Sequence, residues 1–160
     1  MHDAMRTIFF LALLSSCSES VDLDVVGRVD DYRSWARPYL ALGSVPGHGD
    51  SCRPIYANDV ALSYTHGGPY PEGSIVVKEI RERHADDGAE CMGSLKYVGI
   101  MRKWDEDRGD PGVPLDGGWI FSYSDGPGGD ETYRELCWAN CHRQGPWDGA
   151  WFDYAALALN

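Results

Sequence analysis

Three stretches of the chain carry the residue pattern of β-strands. Residues 75–81 and 95–103 are short runs rich in β-branched and aromatic residues, and residues 119–123 place an aromatic ring at every second position, hence on one face. Glycine and proline cluster before the first run, at 67–71, and between the last two runs, within the acidic segment 105–118. The pattern predicts strands that are joined by turns and surface loops.

Helical spacing is present before the first of these strands. Residues 32–39 carry aromatic and small apolar side chains at positions i, i+3, i+4 and i+7, and Asp30 or Asp31 could cap a helix there. Pro38 would shorten or bend that helix. The glycine-rich segment 43–50 predicts a loop.

Two further helices are predicted from capping residues. A short strand that begins at Ile55 is expected to end at Asn58, which can cap a short helix over 59–64. Asp130 can cap a helix that runs from 131 to about 142, with acidic residues in its first turn. Strands joined by turns, with helices beside them, predict an α+β fold built on an antiparallel β-sheet with flanking helices.

Size and charge limit the possible functions. The chain has 160 residues, which suits one domain, and a formal net charge of −11. Nucleic acid is excluded as an expected partner, since phosphate binding needs a basic surface. The charge favours a small neutral or cationic ligand, or a basic redox partner.

The N-terminus predicts export. A short apolar run at 8–14 follows Arg6 and is too short to span a bilayer, as in a secretory signal. It ends in Leu-Ser-Ser-Cys17, which resembles a bacterial lipobox, so we expect Cys17 to be lipidated. Plain secretion and a cytosolic chain with an apolar N-terminal helix are the alternatives.

These signals divide the chain into three parts and predict a location. The parts are a signal peptide at 1–16, a tether at 17–29 and a domain at 30–160. The mature protein is expected on the periplasmic face of a membrane, held through its lipid anchor only.

The C-terminal third contains the motif with the most chemistry, Cys137-Trp-Ala-Asn-Cys141-His142. A c-type haem is bound by two thioethers and by a histidine that follows the second cysteine. Here three residues separate the cysteines instead of the usual two. On a helix, Cys137 and Cys141 would still share one face. Disulfides among Cys137, Cys141, Cys52 and Cys91, or a zinc site at the motif, are the alternatives.

The order of several segments resembles the cytochrome P-460 family. They are Ile55 to Ala61, Tyr70 to Lys78, Tyr97 to Lys103, Gly117 to Trp119, the Cys137–His142 motif and the aromatic C-terminal tail. The resemblance covers about residues 30–154. It implies an antiparallel sheet with helices, one covalently attached haem c with His142 as iron ligand, and a possible homodimer. Some members oxidise hydroxylamine, and relatives bind nitric oxide or related small ligands.

The resemblance also singles out Lys78. In hydroxylamine-oxidising members a lysine at the matching position is cross-linked to the haem. Lys78 lies between Val76 and Ile80 on one strand face, where a charge is costly to bury. The alternative is a lysine whose stem packs while its amine reaches water. An acidic residue expected in those members is replaced by Gly99, which removes the obvious base and could leave room for a diatomic ligand.

Weaker candidates lie elsewhere. His48, His66 and His84 could be second axial ligands, but each lies in a polar segment and is expected to be solvated. Met101 is expected in the core. Asp105, Asp107 and Asp110 lack a full calcium-loop pattern.

Three hypotheses follow from the sequence. The first is a haem domain for electron transfer or for binding a small nitrogenous ligand. The second is a haem-free binding or structural module on the same scaffold, held by disulfides. The third is a hydroxylamine oxidase with Lys78 cross-linked.

Overall fold

The computed structural model describes residues 19–158, and its centre is a six-stranded antiparallel sheet. The strands follow one another in sequence order across the sheet, so every connection joins neighbours. They are β1 (Ala36–Val45), β2 (Gly49–Ala57), β3 (Ile75–Glu82), β4 (Leu95–Lys103), β5 (Trp119–Ser124) and β6 (Thr132–Tyr133). The predicted α+β fold, and the strands predicted at β3, β4 and β5, are confirmed.

Four short α-helices accompany the sheet. They are α1 (Leu23–Val26), α2 (Asp59–Leu62), α3 (Glu135–Asn140) and α4 (Tyr154–Ala158), with 3-10 turns at Tyr32–Ser34, Glu106–Arg108 and His142–Gln144. Asn58 caps α2 as predicted, because its side-chain oxygen accepts from the Ala61 N–H at 2.9 Å. No helix among the described residues is long and apolar enough to cross a membrane.

The two faces of the sheet carry separate hydrophobic clusters. One face packs Ile55, Val76 and Phe121 against α2, α3 and α4, and we call it the site face. The opposite face packs Val77 and Val98 against the segment before β1. The site face is therefore covered by α2 and by the two helices near the end of the chain, α3 and α4.

The helix predicted over 32–39 is wrong. Only a 3-10 turn forms at Tyr32–Ser34, and β1 begins at Ala36. The register between β1 and β2 shifts between Ala36 and Tyr39, so the irregular stretch contains Pro38, which has no N–H to donate to a ladder. Pairing with β2 outweighs the local helical spacing.

The loop predicted at 43–50 is mostly strand. Because β1 continues to Val45 and β2 resumes at Gly49, the two strands form a hairpin whose turn contains Pro46, Gly47 and His48. Gly47 has φ of 79°, a conformation that suits glycine in a tight turn. The hairpin turn places His48 beside the site face.

The predicted helix start at 131 is also wrong. Residues 132–133 form β6, and α3 begins at Glu135. Glu131 is buried, and its carboxylate accepts two hydrogen bonds from Arg102, at 2.6 and 2.7 Å. Asp130 is exposed and caps nothing, since the N-cap position of α3 is Arg134. The conformation of this segment is therefore set by the ion pair between Glu131 and Arg102, and not by a helix cap at Asp130.

The described part of the predicted tether, residues 19–29, packs against the domain. Val21 and Val26 are buried on the face opposite the site face. Two backbone hydrogen bonds, each 2.9 Å long, also join this segment to residues 131–133. The Val21 N–H donates to the Glu131 carbonyl, and the Tyr133 N–H donates to the Glu19 carbonyl. Cys17 and the predicted signal peptide lie outside the described residues.

One disulfide joins Cys52 to Cys91. Cys52 is fully buried in β2, and Cys91 lies in the connection between β3 and β4. The bond ties that connection to the sheet at the hairpin end. Cys137 and Cys141 are free thiols, so the alternative in which all four cysteines are paired does not match the structure.

The Glu131–Arg102 pair yields a stability prediction. Glu131→Ala leaves a buried guanidinium without its partner and should lower the free energy of unfolding by about 3–5 kcal/mol. Asp130→Ala, its neighbour and matched control, should change it by less than about 0.5 kcal/mol. Urea unfolding measures both. A loss of 1–2 kcal/mol in Asp130→Ala would mean that Asp130 caps the helix after all.

Candidate haem site

A cavity of about 440 Å³ opens on the site face. This volume lies within the range of roughly 300–1,000 Å³ that is typical of pockets for small molecules and cofactors. Most of the lining is apolar and comes from β1 and from the segment 151–154. The polar lining residues are His48, Arg53, Lys78, Cys141 and His142. The cavity wall therefore includes Lys78, Cys141 and His142 of the predicted site, whereas Cys137 is not among the lining residues.

The two cysteines of the motif lie on one helical turn. Cys137 is within α3, and the Cys141 N–H donates to the Cys137 carbonyl, so the helical i, i+4 relation holds up to Cys141. The backbone spacing on which the predicted shared face depends is therefore present, although only Cys141 lines the cavity. Burial raises the pKa of the Cys137 thiol, and the nearby Arg134 opposes that shift. Both thiols are half-buried.

His142 follows at the start of a 3-10 turn and is buried. Its Nδ1 lies 2.8 Å from the Gly149 carbonyl oxygen, which can only accept, so Nδ1 carries the proton and Nε2 is left bare. The ring packs on Phe121 of β5, with centroids 4.9 Å apart. Burial, and then the charge of Lys78, lower the pKa of His142 to about 4. The imidazole is therefore neutral at physiological pH, the form that binds metals.

The Gly149 carbonyl is held by a well-anchored turn. Trp147 and Ala150 bridge the turn, and Trp119 Nε1 donates to the Asp148 carbonyl at 2.7 Å. The Asp148 carboxylate accepts from the Tyr70 N–H at 2.8 Å. These contacts fix the acceptor that orients His142. Sequence reasoning missed the turn, because nothing local to residues 147–150 signals that its carbonyl meets a histidine seven residues earlier.

Trp138, inside the motif, packs on the backbone of two glycines. A Cβ on Gly117 or Gly149 would lie under 3.0 Å from atoms of the indole ring. Both glycines have positive φ, at 63° and 84°. The indole thus holds α3 to the loop before β5 and to the turn that orients His142.

Lys78 lies in the middle of the sheet, paired with Ile55 of β2 and Gly99 of β4. It lines the cavity, and burial, followed by the charge of Arg53, lowers its pKa to about 8. Cys137 and Cys141 lie close enough to raise the pKa of Lys78, which partly offsets the lowering by burial and Arg53. The structure therefore places Lys78 beside the motif.

Gly99 faces open space next to Lys78. An added Cβ there would meet only the Lys78 carbonyl oxygen, at 3.8 Å. Among the described residues that line the cavity, none is an Asp or a Glu. Gly99, where a carboxylate was expected, therefore leaves open space. No other carboxylate lines the described part of the cavity.

The remaining candidates are separated by the structure. His84 is exposed, and the His66 side chain is 74% exposed beside Asp153, so both are solvated as predicted. For His48 the expectation was wrong, because its ring is half-buried and lines the cavity. Met101 is in the core as predicted.

No group of three or more His, Cys, Asp or Glu residues that could hold a metal ion is formed within residues 19–158. Neither a zinc site at the motif nor a calcium site at the acidic loop of residues 105–110 is therefore supported.

A comparison with protein families identifies the family of the chain. Residues 29–148 match the model of the family Cytochrome P460. The chain belongs to the cytochrome P460 family. Membership implies a haem-binding cytochrome, so the resemblance seen in the sequence is confirmed. No curated protein matches the chain.

The residues of this cytochrome P460 chain fit a haem. A bare imidazole nitrogen on His142, two free thiols on the preceding helical turn, and a largely apolar cavity are the donors and the space that a c-type haem requires. The hydrogen bond from Nδ1 to a backbone carbonyl is the usual partner of a metal-ligating histidine.

Proposed function

We propose that the protein is a c-type cytochrome in which Cys137 and Cys141 attach one haem c covalently and His142 ligates its iron through Nε2. The observation that carries the proposal is the His142 hydrogen bond to Gly149, which leaves Nε2 bare on the cavity wall. Haem supplies a redox-active iron with a position for a small ligand. The protein would supply a nitrogen ligand for the iron from His142, two thiols for covalent attachment and a largely apolar enclosure. Its partners would be a small nitrogenous ligand or a redox protein.

The attachment proposal is tested by variants of the motif. Expressed with a periplasmic haem-attachment system and then denatured, the protein should retain haem with the spectrum of two saturated vinyl groups. Cys137→Ala should leave one thioether and shift that spectrum. His142→Ala should keep some covalent haem but lose the proximal-ligand signature. Leu136→Ala, which changes an exposed residue of α3 between the predicted cap and the motif, is the control and should leave the haem spectrum unchanged.

We further propose export and a lipid anchor at Cys17, with the domain on the periplasmic face. The Cys52–Cys91 disulfide supports an oxidising compartment. A diacylglyceryl group would hold the acidic domain at a membrane without basic residues, since each buried CH₂ contributes roughly 0.8 kcal/mol.

Intact mass of protein from native membranes tests the anchor. It should show a chain that begins at Cys17 and carries a diacylglyceryl modification. A Cys17→Ser variant should lose the modification and leave the membrane fraction. A soluble mature form cleaved elsewhere contradicts the anchor and leaves the haem proposal untouched.

Hydroxylamine oxidation is a second candidate, favoured by Lys78. Its amine lines the cavity near both thiols, and a pKa of about 8 gives it an appreciable neutral, nucleophilic fraction at neutral pH. These features favour Lys78 as the residue that would cross-link to a haem, a step that replaces a haem C–H bond by a C–N bond and therefore also needs a two-electron oxidant such as a peroxide. The absence of any Asp or Glu from the described cavity lining weighs against full oxidase activity, because bound hydroxylamine has no carboxylate base there.

Peptide mapping separates the two candidates. If Lys78 is cross-linked, the peptide covering 73–81 carries haem mass together with the peptide covering 137–142, and Lys78→Arg releases the first. An unmodified 73–81 peptide in haem-loaded protein rejects the cross-link and favours ligand binding or electron transfer.

A further inference from the structure

His48 reaches the cavity from the turn between β1 and β2. Its Nδ1 lies 2.9 Å from the Tyr97 hydroxyl, and its Nε2 lies 3.5 Å from Lys78 Nζ. The Tyr97 hydroxyl is in turn 3.4 Å from the Gly47 carbonyl oxygen. The imidazole thus joins the hairpin turn to β3 and β4.

The donors and acceptors in this chain of contacts fix the tautomer of His48. Below its pKa of about 8, Lys78 is mainly an ammonium, which can only donate, so Nε2 is the bare nitrogen that accepts. Nδ1 then carries the proton and donates to the Tyr97 oxygen, which leaves the tyrosine proton free for the Gly47 carbonyl. The opposite tautomer would set an N–H against the ammonium. Tyr97 therefore positions His48 with its lone pair toward Lys78 and the cavity.

The groups that face His48 keep it neutral. They are Lys78 on β3, Arg53 on β2, Tyr97 on β4 and His142 on the turn after α3. Burial, and then the positive charges of Lys78 and Arg53, lower the pKa of His48 to about 3. Arg53 is occupied by the Gly43 carbonyl and by Ser51. His48 is therefore a hydrogen-bond acceptor at every physiological pH.

The contact to Lys78 is long enough to be replaced. At 3.5 Å it is at the weak end of hydrogen-bond distances, so the Nε2 lone pair is available to a better donor. Within the described cavity lining, which contains no carboxylate, His48 and His142 are the two imidazoles. Under the proposed function, His142 binds the iron. His48 is then the imidazole that can contact a small ligand bound in the cavity.

We propose that His48, positioned by Tyr97, is the specificity-determining residue of the cavity, and that it selects small ligands carrying an N–H or O–H group by accepting their hydrogen bond at Nε2. The proposal rests on the proposed haem function. It predicts discrimination between amine-type ligands, which can donate, and cyanide or carbon monoxide, which cannot.

Equilibrium binding to the ferric, haem-loaded full chain tests this selection, with methoxyamine as donor ligand and cyanide as ligand without a donor. In His48→Leu the Kd for methoxyamine should rise about tenfold, the effect of one hydrogen bond, while the Kd for cyanide should not rise. His48→Gln, whose amide oxygen accepts, should restore most of the affinity. His84→Leu, the matched control at an exposed histidine, should change neither Kd.

Two results of these titrations would overturn the proposal. One is equal weakening of both ligands, or of neither, in His48→Leu. The other is a low-spin spectrum of two axial imidazoles that becomes high-spin in His48→Leu, because His48 would then be an iron ligand itself.

The tautomer is tested separately by ¹⁵N NMR of the histidine-labelled full chain, in the ferrous carbonyl form when haem is present. His48 should be protonated at Nδ1, and Tyr97→Phe should give a mixture of tautomers. An Nε2–H tautomer overturns the inference whether or not haem is present. A chain that takes up no haem refutes the proposed function instead, so the two failures are distinguishable.

Discussion

The hydrogen bond from His142 Nδ1 to the Gly149 carbonyl is the interaction on which the site depends. Because a carbonyl oxygen can only accept, Nδ1 of the buried imidazole must carry the proton, and Nε2 is the bare nitrogen. The bond requires a turn at 147–150 in the right place, and that turn is anchored to Trp119 and Tyr70. The histidine that we propose as iron ligand thus depends on three segments that are far apart in sequence.

The sheet separates structural tasks from chemical ones. On the face opposite the site, the buried Arg102–Glu131 pair joins β4 to the strand segment before α3, and the N-terminal segment packs over it. The site face is left to the cavity and to α3. Three strands each contribute one polar residue to this region, Arg53, Lys78 and Tyr97, and the hairpin turn adds His48. Cavity chemistry can therefore vary without disturbing the ion pair that holds the chain's N-terminal segment.

Period-two patterning and local capping were sufficient to predict much of the fold. Strands β3, β4 and β5 and the Asn58 cap follow from short-range sequence, and the motif places Cys137, Cys141 and His142 together. The helix predicted at residues 32–39 does not form because strand pairing with β2 outweighs the helical spacing. This pairing is a tertiary effect that the local sequence does not show. The helix start predicted at Glu131 was wrong because Glu131 pairs with Arg102, which is 29 residues away in sequence. His48 was assigned to solvent because its glycine neighbours hide the fact that a hairpin turn brings it to the cavity.

If Cys137, Cys141 and His142 form a haem attachment site, haem mass should be found at one place in the chain. The protein should be purified after expression with a haem-attachment system, denatured, digested without reduction and mapped by tandem mass spectrometry. We expect one haem mass on the peptide that contains both Cys137 and Cys141. Unmodified peptides, or a disulfide between these two cysteines, with no haem on any peptide, would contradict it.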